Sequence, residues 1–374
     1  MIASLRGKRY THRIPTFSLR TGMPKRISSE ATVSRKKQHV ELALSRNVLF
    51  RRKGNGLDRW EFEHNALPEL DVEQIDPSTE FLGKKLNLPF MISSMTGGYA
   101  DARRINRHLA EACEQFGIAM GVGSQRQALE ESRFHSTFSI VREAAPTIPV
   151  IGNIGGAEVA SLKTADPVRR LAALVKADAF AVHLNPLQEF LQPEGSPRFR
   201  GVLDGIRLLV RDLEIPLIVK EVGAGLSAEV IGRLLEAGVR TIDVAGAGGT
   251  SWAGVEILRQ RGGKDASLPF WDWGIPTSVA VAEAAALKGR PHRFFLIASG
   301  GISTGLEAAK CIALGADLAA SARPMLKALA RGGPRALQRL LDAWSFQLRG
   351  AMFLTGSRTI GDLQHAHLRQ LGQP

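Results

Sequence analysis

The sequence feature that most constrains the fold is an alternation of short apolar runs with longer amphipathic stretches, from residue 89 to residue 349. Apolar strands separated by helices indicate parallel strands that are buried on both faces. Eight such units in this length match a (β/α)8 barrel in number and size. We therefore predict an α/β fold, a (β/α)8 TIM barrel with an N-terminal extension. A doubly wound open sheet is the alternative.

The predicted elements follow one another in a regular order. The strands are 89–93, 118–123, 149–154, 179–184, 216–222, 241–246, 294–299 and 317–321. The helices that follow them include 101–116, 165–176, 227–237, 303–314 and 324–349. A separate helix is predicted at 34–46, with Ser34 as a possible N-cap. Residues 51–88 contain Gly, Pro and Asn turn signals, which predict an irregular segment.

Charge is unevenly distributed along the chain. The net charge is +13, and residues 1–30 hold seven basic residues and one acidic residue. We predict that residues 1–33 form a basic, disordered tail, with Met23 as an alternative start, and that residues 34–374 form one barrel domain. The other basic residues are dispersed and form no nucleic-acid motif, so we predict no nucleic-acid partner. An anionic small substrate explains the positive excess equally well.

Composition and cysteine count exclude several protein classes. Hydrophobic residues make up 44% of the chain and charged residues 23%, which excludes a mainly disordered protein. No apolar run reaches the length of about 18 residues that a membrane-spanning helix needs, so we predict no membrane partner. Cys113 and Cys311 are too few for a disulfide scaffold and form no CxxC motif. We predict two buried free thiols and a cytoplasmic location.

Chemistry-bearing residues follow nearly every predicted strand. In a TIM barrel the active site lies at the carboxyl ends of the strands. The strand ends read SSMTGG (93–98), GSQR (123–126), GNIGG (152–156), HLNPLQE (183–189), KEVGAG (220–225), AGAGGTSW (245–252), ASGGIS (298–303) and SARP (321–324). A barrel without a site does not need glycine, polar or charged residues at so many ends.

The seventh strand end predicts a phosphate site. Backbone N–H groups of Gly300, Gly301 and Ile302 precede a predicted helix, where the donors and the helix dipole favour an anion. Barrels commonly hold phosphate after strands seven and eight. A plain glycine turn is the alternative. Residues 246–250 (GAGGT) form a second, weaker Gly-rich turn.

The stretch HLNPLQE is the most informative. His183 and Asn185 are two positions apart on a strand and therefore face the same side. Gln188 and Glu189 follow on the predicted loop, where Glu189 offers an oxygen ligand of the kind that Mg²⁺ prefers. A solvated loop is the alternative.

Basic residues in and near the barrel suggest anion binding. Lys220 lies inside an apolar strand, where it forms an ion pair, acts as a Schiff-base lysine or contacts a cofactor. Arg126, which follows Ser124 and Gln125, suits bidentate phosphate binding. The basic cluster in residues 35–39 is also explained by a solvated helix end. The sequence shows no Ser-His-Asp set and no zinc-ligand spacing.

The ordered motifs, from RKKQHVELAL (35–44) to ALGADLAASARP (313–324), resemble those of type 2 isopentenyl-diphosphate isomerases. The resemblance covers roughly residues 34–355, and HLNPLQE is its most specific part. It implies a flavin-dependent barrel that interconverts isopentenyl and dimethylallyl diphosphate. It also implies FMN, NADPH and Mg²⁺, a small-molecule diphosphate substrate, and a homo-tetramer or homo-octamer.

The resemblance also implies residue roles. Gln188 would contact the substrate near the reacting carbon and act as the catalytic residue, and Glu189 would hold Mg²⁺. The implied FMN contacts are Ser94, Met95, Thr96, Ser124, Asn153, Lys220 and Thr250, with the FMN phosphate on Gly300, Gly301, Ile302, Ala322 and Arg323. The implied contacts of the substrate diphosphate are Arg35, Lys36, His39, Ser124, Gln125, Arg126, His183 and Asn185.

Two rival functions make different demands on the sequence. An FMN-dependent 2-hydroxyacid oxidase or dehydrogenase needs a His base and an Arg in an SNHGGRQ-like stretch after the sixth strand. Residues 245–252 read AGAGGTSW there, with neither. A non-catalytic protein that binds flavin, or nucleic acid through its basic tail, is the second rival. The presence of Gln188 and Glu189 argues against it.

Overall fold

The computed structural model describes residues 29–45, 47–260, 265–289, 291 and 293–372. Residues 1–28, most of the predicted basic tail, lie outside the described residues, so the predicted disorder there stays a prediction. Among the helices within these ranges, none combines the length and apolarity needed to cross a membrane.

Eight parallel strands close into a barrel in chain order, and the last strand pairs with the first. The strands of the described residues are β1 (Trp60–Phe62), β2 (Thr79–Phe81), β3 (Lys84–Leu86), β4 (Phe90–Ile92), β5 (Ala119–Gly121), β6 (Val150–Gly155), β7 (Ala179–Leu184), β8 (Leu217–Glu221), β9 (Thr241–Asp243), β10 (Phe295–Ser299), β11 (Leu318–Ser321) and β12 (Leu368–Gln370). Strands β4 to β11 form the barrel and correspond one to one to the eight predicted strands. The TIM-barrel prediction is confirmed, and the open sheet is excluded.

Helices surround the barrel and connect its strands. They are α1 (Ser29–Ser45), α2 (Ala102–Phe116), α3 (Arg126–Glu130), α4 (Ser136–Ala144), α5 (Gly156–Val159), α6 (Asp166–Val175), α7 (Pro186–Leu191), α8 (Val202–Asp212), α9 (Ala228–Glu236), α10 (Trp252–Arg259), α11 (Thr277–Ala285), α12 (Gly305–Ala313), α13 (Arg323–Thr355) and α14 (Ile360–Leu363). Helix α13 is kinked at Gly332 and Gly333, just before Pro334.

Buried side chains fill the end of the barrel that lies opposite the predicted site. Side chains that alternate along the strands point outward into the helix-packed core or inward into the barrel. The inward set is small or unbranched at several positions, such as Ala179 and Ala181. Phe81 and Leu86 from the β2–β3 hairpin belong to the same buried cluster. These residues fill the barrel below the level of the strand ends that carry the predicted site.

The N-terminal extension differs from its prediction in two ways. Helix α1 begins at Ser29, before the predicted start, so Ser34 lies inside the helix and accepts a hydrogen bond from Gln38 Nε2 at 3.4 Å. Ser34 is therefore not the N-cap. The segment 51–88, predicted as irregular, contains three short strands. One of them, β1, pairs with β12 near the other end of the chain.

Both cysteines match their prediction. Cys113 and Cys311 are free and fully buried. Burial raises the pKa of each thiol above its ordinary value, which keeps both in the unreactive protonated form.

Candidate active site

A cavity of about 460 Å³ lies at the carboxyl ends of the barrel strands, beneath α1. It brings together residues from the N-terminal helix and from the strand ends, as a TIM-barrel active site requires. The predicted site residues that line it are Arg35, Lys36, His39, Ser94, Met95, Ser124, Arg126, Asn153, His183, Asn185, Gln188, Glu189, Lys220, Thr250, Gly300, Gly301, Ile302, Ala322 and Arg323.

Two predicted site residues turn away from this cavity. The Gln125 side chain is fully buried in the barrel wall, where its Nε2 donates to the Leu171 carbonyl at 2.9 Å and its Oε1 accepts from Asn153 N at 3.0 Å. The Thr96 hydroxyl is bonded to Asn106 Oδ1. Both side chains are engaged in structural hydrogen bonds, so the geometry does not support substrate binding by Gln125 or flavin contact by the Thr96 side chain.

Helix α1 covers the cavity with one face. Residues at helical spacing, including Arg35, His39 and Ala43, line it. Lys37 lies on the outer face, 3.9 Å from Glu41. Apart from Lys37, the basic cluster is therefore not a solvated helix end.

The cavity carries an excess of positive charge. Lys36 is partly buried, and its Nζ donates to the Ser124 carbonyl at 2.8 Å. Burial and the neighbouring Arg35 and Arg126 lower the pKa of Lys36 to about 7. The ionisable Lys, Arg, Asp and Glu residues of the lining are Arg35, Lys36, Arg126, Lys220 and Arg323 against Glu158 and Glu189. Cations that are withdrawn from water and outnumber their counter-charges form a site for an anion.

His183 is a neutral group in this site. Burial, together with the charges of Lys220 and Lys36, lowers its pKa to about 3. Its Nδ1 lies 2.8 Å from Asn153 Oδ1, so the neutral ring can donate an N–H there. His183 therefore contributes polarity and shape, and it is not a source of positive charge at neutral pH.

Gln188 and Glu189 lie on the short helix α7, whereas the sequence predicted a loop. Asn185, just before the helix, donates from Nδ2 to Gln188 Oε1 at 3.2 Å and to Glu189 Oε1 at 3.1 Å. Ser196 N donates to Glu189 Oε2 at 2.7 Å. Both amide and carboxylate are thereby oriented, and the carboxylate keeps lone pairs for a cation.

Glu256 is a site residue that the sequence reasoning missed. It is fully buried on α10, and its Oε1 accepts from Gln188 Nε2 at 3.0 Å. His39 Nε2 lies 2.8 Å from the same oxygen, and Arg259 donates to Oε2 at 2.5 Å. Burial pushes the pKa of Glu256 upward, but His39 and Arg259 outweigh it, and the pKa is lowered. An acidic residue inside the apolar helix WAGVEILR was the available signal.

Glu256 therefore connects three elements. It bonds the amide of Gln188 on α7, it contacts α1 through His39, and it lies on α10. Gln188 is held on both sides, since Asn185 donates to its oxygen and its nitrogen donates to Glu256.

Lys220 has one of the roles left open by the sequence, the ion pair, and lies where a cofactor contact is open to it. Its Nζ donates to the backbone carbonyl of Glu221 at 2.6 Å and lies 3.5 Å from Asp243 Oδ2. It also lines the cavity. The Glu221 carboxylate points elsewhere and accepts from successive backbone N–H groups of Val222 to Gly225. Lys220 is thus an ion-paired cation presented to the cavity.

The other end of the cavity suits a phosphate group. Gly300 and Gly301 have φ values of 106° and 74°, and a Cβ at Gly300 would collide with the Gly246 carbonyl. Helix α13 begins beside this turn, and its N-cap residue Ala322 supplies no side-chain hydrogen bond. The first-turn N–H groups of α13 therefore lack a side-chain cap at the end where its dipole attracts an anion. These features fit the phosphate of FMN.

The cavity offers few side chains that could bind a metal ion. Within the described residues, no group of three or more His, Cys, Asp or Glu side chains is arranged to hold an ion. Burial, with repulsion from Glu158, raises the pKa of Glu189 despite the hydrogen bonds from Ser196 and Asn185. A partly buried carboxylate such as Glu189 beside an anion site fits Mg²⁺, which commonly uses one or two carboxylates together with substrate phosphates.

Comparison with known proteins identifies relatives over nearly the whole chain. The FMN-dependent dehydrogenase family matches residues 29–138 and 173–370, more than half of the chain. An isopentenyl-diphosphate delta-isomerase of Chlorobaculum parvum is 49% identical over 350 residues, which is 91% of this chain and 97% of the relative. One from Pseudescherichia vulneris is 45% identical and covers 92% of this chain and 98% of the relative.

Solved structures with the same fold are more distant in sequence. A mandelate oxidase variant with (S)-mandelic acid is 16% identical, covers 92% of this chain and 98% of its own, and has a TM-score of 0.63. A flavocytochrome b2 variant with bound sulfite is 19% identical, covers 91% and 84% of the two chains, and has a TM-score of 0.65. These likenesses show the shared barrel fold.

Proposed function

This chain belongs to the type 2 isopentenyl-diphosphate delta-isomerases within the FMN-dependent dehydrogenase family, and on that premise we propose how its residues carry out the isomerisation. The reaction interconverts isopentenyl and dimethylallyl diphosphate in isoprenoid biosynthesis. A proton is added at one carbon and another is removed two carbons away. The diphosphate is bound but not broken.

One observation carries the residue assignment. The cavity joins an uncapped helix end and a Gly-rich turn, buried cations, and an amide, Gln188, that is fixed by Asn185 and Glu256. The first two features suit two phosphate-bearing molecules, and the third supplies an oriented polar group in the same cavity. A 2-hydroxyacid oxidase is disfavoured because residues 245–252 supply no His and no Arg.

The cofactor is held by the barrel side of the cavity. Ser94, Met95, Ser124, Asn153, Lys220 and Thr250 would surround the FMN ring system, and Gly300, Gly301, Ile302, Ala322 and Arg323 would hold its phosphate. Reduced FMN, when bound, supplies acid–base chemistry for an alkene too weakly basic for an ordinary carboxylic acid. The isomerisation itself is redox-neutral, so we propose that NADPH would be required only in catalytic amount.

The substrate is held by the α1 side of the cavity. Arg35, Lys36 and Arg126 neutralise the diphosphate, and His39, Ser124, His183 and Asn185 orient it. Glu189 would hold Mg²⁺, which would supply positive charge to the diphosphate site. Gln188 faces the reacting carbons and takes part in moving a proton there, with its amide held by Glu256. Helix α1 over the cavity excludes water, which protects the reacting carbons.

Several broader properties stay proposals that rest on the family. We propose a cytoplasmic homo-tetramer or homo-octamer with no nucleic-acid or membrane partner. We also propose one barrel domain that extends to residue 374 and a separate basic tail before it, with the boundary moved from residue 34 to the start of α1 at Ser29.

The catalytic role of Gln188 is tested by Gln188→Ala. We expect turnover to fall by about a hundredfold or more while FMN stays bound, since its amide lies at the reacting carbons. The matched control is Gln338→Ala, which removes an amide bonded to Gln115 on the surface. Near-full turnover in Gln188→Ala, measured by NMR of the product, would remove Gln188 from the mechanism.

A further inference from the structure

The hydroxyl of Tyr99 is an unexplained polar group in the wall of the cavity. The Tyr99 side chain is 4% exposed and lines the cavity. Its hydroxyl is buried and has no hydrogen-bond partner among the described residues. A buried hydroxyl without a partner loses the hydrogen bonds that it makes in water, so native proteins seldom leave one unbonded. A ligand oxygen would satisfy it.

The surroundings of Tyr99 indicate what kind of ligand oxygen its hydroxyl would bond. Tyr99 follows Gly98, whose φ of 79° and lack of a side chain let other groups approach closely. A Cβ at Gly98 would lie 2.7 Å from Lys36 Nζ, so the lysine ammonium reaches the same loop. Burial and the charges of Asp101 and Glu41 raise the pKa of Tyr99, which keeps the phenol neutral and able to donate. An O–H donor in a cavity wall that also carries the Lys36 ammonium suits an anionic oxygen.

Gln127 packs against the same loop outside the cavity lining and also carries unpaired polar atoms. Both amide atoms of Gln127 are buried without a partner, and a Cβ at Gly98 would also collide with its oxygen. Three of the seven unbonded buried polar atoms among the described residues thus belong to Tyr99 and Gln127, at the loop that Lys36 contacts. Phe138, whose ring centroid lies 5.6 Å from Lys36 Nζ, closes this region with an apolar surface.

We propose that Tyr99 is a further substrate-binding residue, whose O–H donates to a non-bridging oxygen of the diphosphate beside Lys36. This inference rests on the proposed function, because the diphosphate end of the substrate is assigned there to Lys36. Tyr99 acts in binding and takes no part in proton transfer at carbon. Its loss should therefore weaken binding of the diphosphate while leaving the chemical step intact.

The test compares wild type with Tyr99→Phe, which keeps the ring and removes only the oxygen. The probe is inorganic pyrophosphate with Mg²⁺, titrated into the FMN-loaded protein by calorimetry. We expect the dissociation constant to rise about tenfold or more, as for loss of a hydrogen bond to a charged group. The KM for isopentenyl diphosphate should rise by a similar factor, with kcat within about twofold.

The matched control is Thr147→Val, which removes a hydroxyl already bonded to Glu114 on the outside of the barrel. It should bind pyrophosphate as wild type does. Equal melting temperatures and flavin content in Tyr99→Phe would show that the fold is intact. Equal dissociation constants for wild type and Tyr99→Phe, or no binding of pyrophosphate by wild type, would overturn the proposal.

A second measurement needs no change at Tyr99. The chain has two tyrosines, Tyr10 and Tyr99, so Tyr10→Phe leaves one phenol to observe. Addition of pyrophosphate should shift the ultraviolet resonance Raman bands of that phenol toward a hydrogen-bond donor, and unchanged bands would contradict the proposal. If pyrophosphate binds as expected but no isomerisation occurs, the proposed function fails and the Tyr99 assignment stands.

Discussion

At the scale of single residues, the fixed amide of Gln188 depends on a carboxylate that no sequence motif revealed. Glu256 bonds Gln188 and is kept ionised by His39 and Arg259 despite complete burial. Sequence motifs identified the groups at the strand ends, because the barrel places those ends together. They did not identify Glu256, because its role comes from packing between α1, α7 and α10.

Glu256→Gln should lower kcat by about a hundredfold, because it weakens the orientation of Gln188 and leaves Arg259 without its closest charge. FMN affinity should stay within about twofold, since Glu256 does not line the cavity. Steady-state kinetics and flavin titration measure the two effects. The control is Glu111→Gln, which changes an exposed carboxylate paired with His108. A wild-type kcat for Glu256→Gln would show that Gln188 is oriented without it.

The lowered pKa of Lys36 predicts how substrate binding depends on pH. Its pKa of about 7 means that the free enzyme loses this charge as pH rises through neutrality. A cation favours the diphosphate, so the KM should rise with pH above about 7, by up to about tenfold per pH unit. Lys36→Arg keeps its positive charge as pH rises, so it should flatten the dependence of KM on pH. Superimposable pH profiles for the two proteins would exclude Lys36 as the titrating group.

Glu189→Gln should raise the Mg²⁺ concentration needed for half-maximal turnover by about tenfold or more, because the amide is a weaker ligand than the carboxylate. Turnover measured across a magnesium titration gives this value. Glu80→Gln, at the opposite end of the barrel, is the control. An unchanged titration would refute the ligand role.

At the scale of elements, the sequence predicted the barrel strands well and the short accessory strands poorly. Buried parallel strands are recognisable as continuous apolar runs. Strand β1 has three residues and pairs with β12, so its partner is far away in the chain and no local pattern marks it. The resemblance likewise predicted Gln125 as a site residue, but its neighbours Ser124 and Arg126 line the cavity while Gln125 bonds the barrel wall.

The turn between β10 and α12 gives a prediction about flavin binding. Gly300→Ala should weaken FMN affinity by about tenfold or more and lower stability by about 1–3 kcal/mol, since φ is positive and the new Cβ meets the Gly246 carbonyl. Gly289→Ala is the control, with a φ of 145° and no atom within 4 Å of the Cβ. Flavin titration distinguishes them, because both substitutions strain a positive-φ backbone. Equal FMN affinity in both variants would contradict the phosphate assignment.

At the scale of the whole molecule, the closed barrel predicts the reactivity of its thiols. Cys113 and Cys311 are fully buried, with pKa values raised by burial. A thiol reagent such as 5,5′-dithiobis(2-nitrobenzoate) should react negligibly with native protein and with both thiols in denaturant. The reaction should follow the loss of circular dichroism, because exposure requires unfolding of the barrel. Rapid reaction of native protein would contradict the closed packing.

The measurement that tests the central claim most directly is an anaerobic reaction of the purified protein. Isopentenyl diphosphate is added with FMN, NADPH and Mg²⁺, and the product is followed by NMR. We predict a flavin spectrum, formation of dimethylallyl diphosphate, and a requirement for NADPH in catalytic amounts only. Bound flavin without isomerisation would contradict the assigned reaction, and absence of flavin binding would contradict the reading of the strand ends as a cofactor site.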